Sequence, residues 1–106
     1  MGRGRISYND KNNIIDNVIQ LKTEFNRGSF LHKQVYHANG WYVYKVDEHN
    51  YEVFKEKITK AADYVDGKFV TGDLLKVQYP GDEDFGFWAW SVNSMERALQ
   101  IIEYRS

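Results

Sequence analysis

Asn39-Gly40 stands between two runs of strand-forming residues, 31–38 and 41–46, and constrains the fold of this chain more than any other pair. A two-residue type I′ turn needs positive φ at both central positions, and Asn-Gly adopts it at little cost. Such a turn fixes the register. Ala38 is expected opposite Trp41, His37 opposite Tyr42, Tyr36 opposite Val43 and Val35 opposite Tyr44. Alternation then places Tyr36, Ala38, Trp41 and Val43 on one face, and Val35, His37, Tyr42, Tyr44 and Val46 on the other. Neither face is plainly polar. Either both are covered, or one is an exposed aromatic surface.

Around this hairpin the apolar spacing reads as helical. Ile14, Ile15, Val18, Leu21 and Phe25 make a stripe that predicts a helix over about 9–27, with Gly28 as its stop. Tyr51, Phe54, Ile58, Ala61, Ala62 and Val65 make a second, capped by Asp47 or Asn50 and ended by Asp66-Gly67. Residues 69–71 and 74–79 read as strands around a Gly72-Asp73 turn, and 85–91 as a further strand. Asn93 and Glu96 have capping-box spacing ahead of Met95, Ala98, Leu99 and Ile102. The expected order is α-β-β-α-β-β-β-α. It makes a single α+β domain over 1–106, a largely antiparallel five-stranded sheet with three helices. Residues 1–7 are expected to be a flexible basic tail.

Composition narrows the function. A chain of 106 residues is one domain in size. Fourteen Lys and Arg against fifteen Asp and Glu give a net charge of −1. A domain that grips duplex DNA through many phosphates is usually far more basic. No cysteine is present, which removes thiolate chemistry, disulfides and cysteine-ligated metals. No apolar run approaches the ~18–20 residues of a membrane span, and the first residues lack the apolar stretch of a secretion signal. A soluble, cytoplasmic protein is the expectation.

The run Phe85-Gly86-Phe87-Trp88-Ala89-Trp90 carries the densest aromatic signal. It resembles the aromatic strand motif of the RNA recognition motif family, with Phe85, Gly86, Phe87 and Trp90 in matching places. The resemblance covers about six residues and implies base stacking by Phe85 and Phe87. Glu83 and Asp84 stand where that motif has a basic residue and a glycine. Arg3 and Arg5, in the basic start of the chain, would supply phosphate contacts for such single-stranded nucleic-acid binding.

Other chemistry is thinner. His32 and His37 differ by five in one strand, so without a bulge they point to opposite faces and cannot share an ion. His49 sits with Asp47 and Glu48 at a corner where acids cap a helix. No G-x-S-x-G, P-loop or H-E-x-x-H pattern occurs. His37, Glu52 and Arg27 or Arg97 could be assembled into a small ribonuclease, but any domain of this size offers such a trio. No enzyme, cofactor or metal is therefore expected.

What stands out is 16% aromatic residues, eight of them Tyr and three Trp. Tyr and Trp dominate protein interfaces because they bring rigid area with a polar tip. The sequence thus points to a non-catalytic binding protein of the inhibitor, immunity or accessory type, such as phages carry. Its expected contact residues are His37, Trp41, Tyr42 and Tyr44 of the hairpin, with Trp88 and Trp90 beside them. Single-stranded nucleic-acid binding through Arg3, Arg5, Phe85 and Phe87 is one alternative. A small nucleotide-like ligand held by the Trp pair is another.

Overall fold

The computed structural model describes the backbone of residues 14–15, 18–65 and 68–106, and the side chains of 14–15, 18–60 and 75–106. The chain divides into two compact units.

The first unit holds β1 (Ile14–Ile15), β2 (Val18–Ile19), β7 (Ile58–Val65) and β8 (Lys68–Val77) in the sheet order β1-β2-β8-β7. β2 runs parallel to β8, with Val18 opposite Leu75, while β7 and β8 form a long antiparallel pair from Val65 opposite Lys68 to Ile58 opposite Val77. Ile14, Ile15, Val18 and Ile19 are β-branched, and such side chains fit a pleated surface better than a helix.

The second unit holds β3 (Glu24–Arg27), β4 (Phe30–Ala38), β5 (Trp41–Asp47), β6 (Asn50–Lys55), β9 (Ala89–Val92) and one helix, α1 (Met95–Arg105). The strands form an antiparallel sheet in the order β3-β4-β5-β6-β9. Among the described residues α1 is the only α-helix.

The three-helix order expected from the sequence is therefore overturned. The stretch 9–27 contributes β1, β2 and β3 where it is described, and the stretch after Asn50 contributes β6 and β7. Gly72-Asp73 is not a hairpin turn; it lies within β8, where the pairing with β7 shifts register between Thr71 and Leu75. The strand expected at 85–91 begins only at Ala89, because Gly86 at φ 96° bends residues 85–88 into a turn. Arg3 and Arg5 lie outside the described residues.

The Asn39-Gly40 hairpin forms with φ of 52° and 80° at its two central residues, as type I′ demands. Ala38 faces Trp41, His37 faces Tyr42 and Tyr36 faces Val43. Beyond them Val35 is a bulge, so Gln34 rather than Val35 faces Tyr44. The extra residue puts His32, Gln34 and His37 on one face of the sheet. The two histidines expected on opposite faces thus share one.

Both faces are covered at the centre of the sheet. Trp41, Tyr42, Val43 and Tyr44 are all buried, as are Val53 and Phe54 on β6. On one face Trp41, Val43 and Val53 pack against Ala98 of α1, with Met95, Ile101 and Ile102 around it. Alanine at 98 lets the helix lie close to the sheet. Ser94, not Asn93, caps α1: its Oγ accepts from the Arg97 N–H at 3.1 Å.

Candidate protein-binding groove

The hairpin residues expected at a contact surface lie mostly inside. Trp41 is 2% exposed and Tyr44 0%; Tyr42 is equally sealed, and only His37 is open to solvent, its ring stacked on Tyr42 at 4.0 Å. The opposite face from α1 is a continuous aromatic layer. Tyr42 and Tyr44 stack on Phe54 at 5.3 and 5.9 Å, and Phe25 meets both Tyr44 and His32. The phenols keep partners. Gln34 Nε2 donates to the Tyr44 hydroxyl at 2.9 Å, and the Tyr42 hydroxyl donates to Glu56 at 3.4 Å. Burial pushes the Tyr44 hydroxyl up to about 12. Burial and the neighbouring Glu56 carboxylate raise Tyr42 further.

Buried His32 places Nε2 at 3.7 Å from Glu52 Oε1 and Nδ1 at 3.3 Å from the Phe30 carbonyl oxygen. Among the described residues no three His, Asp or Glu side chains gather as a metal would need. Asp47 does not cap a helix. Its carboxylate accepts from the His49 N–H at 2.8 Å and from the Asn50 amide, closing the β5–β6 turn. Those hydrogen bonds, the His49 N–H first, hold its carboxyl below the usual range.

The aromatic run after Asp84 splits in its roles. Phe85 is half-buried, whereas Phe87 at the turn is 79% exposed. Trp88 is half-buried, its ring edge-to-face with Phe54 at 6.2 Å. Phe85 and Phe87 thus sit on a turn, not on the flat strand that base stacking in the resembled family uses.

Trp90 is the expected contact residue around which exposed chemistry collects. It points to the α1 side of β9, half-buried, 6.2 Å from Trp41. The Arg105 guanidinium lies over its outer face at 4.3 Å. Arg97, Ile101 and Tyr104 recur at helical spacing on the flank of α1 beside it, and with Gln100 they line an open groove of about 660 Å³. Tyr104 is 86% exposed, and Arg97, Gln100 and Arg105 are exposed as well. Glu103 is the one carboxylate in the lining.

The sequence points to Trp90 as a contact residue but not to Tyr104 or Arg105, and to Arg97 only as a member of a ribonuclease trio. The Arg97/Ile101/Tyr104 spacing was available on the last helix, but its significance depends on Trp90 lying alongside. No family model matches the chain, and no curated protein or solved structure matches it. No helix among the described residues is long and apolar enough to cross a membrane.

Proposed function

We propose that this protein acts by holding a protein partner rather than by catalysis, and that the partner seats on the groove between Trp90 and the outer flank of α1. One observation carries this reading: Tyr104, 86% exposed, stands beside a tryptophan already braced by Arg105. Tyr, Trp and Arg are the residue types in which interface binding energy concentrates. The bracing fixes Trp90 and Arg105 before any partner arrives, so less conformational freedom is lost on association. The underlying face is rigid, because Trp90 packs on the cluster of Trp41, Val53 and Ala98.

The experiment compares the tagged full chain with its Tyr104→Ala/Arg97→Glu variant in nuclease-treated extracts of the native cell. Both side chains are exposed, so the variant should melt as the wild type does. The expected result is a protein retained by the wild type in near-equal amount and lost by the variant. Retention that is indifferent to the two substitutions overturns the reading. Retention present only before nuclease treatment moves the function to nucleic acid.

A further inference from the structure

The hydrogen-bond pattern of β6 shows which backbone groups of β9 point outward. The Lys55 N–H donates to the Trp88 carbonyl, and the Glu56 N–H donates to the Gly40 carbonyl. In an antiparallel pair bonded and non-bonded positions alternate. Odd-numbered residues of β6 therefore bond to β9, and even-numbered ones to β5. With Val53 opposite Trp90 and Glu52 opposite Ser91, Trp90 and Val92 spend their backbone groups on β6. Ala89 and Ser91 turn theirs to the outside. The Ala89 carbonyl is occupied there, accepting from the Gly86 N–H at 2.7 Å. Ser91 is left with its N–H and C=O aimed away from the sheet, on the edge strand of the second unit.

This open position adjoins the groove. Trp90 precedes Ser91 and lines the groove with Arg97, Ile101, Tyr104 and Arg105. An edge strand beside a helix flank is the setting for strand addition, in which main-chain bonds give affinity and alternate side chains give selectivity.

We propose that Ser91 and this helix flank together receive an extended acidic segment of the partner as an added antiparallel strand. The proposal rests on the protein-binding reading above and specifies its partner. Both backbone groups of Ser91 bond to one residue of the segment, the geometry that only an antiparallel neighbour provides. That residue points away from α1, as Ser91 does. The residues on either side of it, two positions apart, point to the α1 side. One lies beside Trp90, toward Ile101 and Tyr104 in the groove, and is apolar. The other reaches Arg97 and Arg105. Among the described residues neither guanidinium has a carboxylate within ion-pair distance, and two arginines face the single Glu103 in the groove. A carboxylate is the side chain that completes this set, because guanidinium bonds it with two parallel donors.

A phage-displayed library of random twelve-residue peptides, panned against the full chain, tests this. The expected consensus is an Asp or Glu two positions from a large apolar residue. A synthetic consensus peptide should lose about tenfold in affinity when the residue between these two is N-methylated, which removes one main-chain donor and leaves Ser91 unsatisfied. Panning against Arg97→Glu/Arg105→Glu should replace the acid by Lys or Arg. No enriched sequence, a consensus without an acid, or undiminished binding of the N-methylated peptide overturns the proposal. If panning fails while Tyr104→Ala/Arg97→Glu still loses its cellular protein, strand addition falls and the protein-binding reading stands. If both fail, both fall.

Discussion

Arg105 lies over Trp90, its guanidinium carbon 4.3 Å from the ring centre, and so ties the last turn of α1 to the edge strand of the sheet. A cation over an indole is worth about 0.5–1 kcal/mol at an exposed site. Both residues of the contact line the groove together with Tyr104 and Arg97.

Replacing Arg105 with alanine is expected to lower stability in urea by about 0.5–1 kcal/mol, and Arg105→Lys by less, because lysine keeps a cation for the ring. Indole emission should also change, since Trp90 loses its cover. An unchanged urea midpoint for Arg105→Ala would show that the stack contributes nothing in solution.

The hairpin gives a sharper measurement. Gly40 sits at φ 80°, and a Cβ built there meets nothing within 4 Å. Gly40→Ala therefore carries only the left-handed backbone cost, about 1–2 kcal/mol, with no steric clash to confuse it. Gly28, at φ 64° and equally open, starts the β3–β4 turn and should respond alike. Equilibrium unfolding with an unaltered denaturant slope is the expected form of both losses. A Gly40→Ala variant as stable as the wild type would mean that the turn is not type I′.

These turns explain how far the sequence was legible. Among the described residues three strand pairs are joined through two positions each: Gly28-Ser29, Asn39-Gly40 and Glu48-His49. Asn39-Gly40 was read as a hairpin because strand-forming runs flank it. Gly28 carries similar turn chemistry but follows a stripe with helical spacing, so in sequence it passes for a helix stop. The stripes mislead because residues from both faces of a strand, such as Tyr51 and Phe54, also fall at helical spacing. Tyr51 with Val53 faces α1, while Phe54 faces the other way, and strand pairing decides between them. The bulge at Val35 leaves no mark in composition. The groove was legible only as Trp90.

Alkaline pH offers a test of the aromatic layer. Burial raises Tyr44 from its ordinary value of 10 to about 12, and Tyr42 is raised too. Between pH 10 and pH 12 the folded chain keeps protons that the unfolded chain has released, so folding loses stability as pH rises. The contribution is complete below pH 10 and declines through that window. Tyrosinate absorbance should appear together with unfolding at these two rings, not ahead of it. Tyr44→Phe should flatten part of the dependence, while costing about 1 kcal/mol at neutral pH through the unpaired Gln34 amide. Tyr44 ionising freely in the folded state would place its hydroxyl in water.

Asp47 has the opposite sign. Its carboxyl is depressed by the His49 N–H and the Asn50 amide, so its share of stability is present above the unfolded value of about 3.9. That share is lost as pH falls through the folded value. Asp47→Asn keeps an acceptor for the turn but removes the charge. The acid limb of an unfolding profile should become shallower in Asp47→Asn at the foot of the transition. An identical acid limb would detach the carboxylate from the turn.

Ala98 couples the core to the groove without lining it. It is fully buried against Val43 and Val53, one turn before Ile102 and beside Arg97 and Ile101. Leucine at 98 adds three carbons where none fit, and overpacking of this kind costs about 1–3 kcal/mol. The helix can relieve the clash only by lifting from the sheet, which moves Arg97, Ile101 and Tyr104 relative to Trp90. Ala98→Leu is therefore expected to lower the melting temperature and also to weaken partner retention at temperatures where the chain remains folded. Ala98→Gly leaves the sheet contact open and weakens the helix by about 1 kcal/mol through backbone entropy. It should reduce stability while retaining the partner. Equal partner retention by the leucine and glycine variants would separate the groove from the position of the helix.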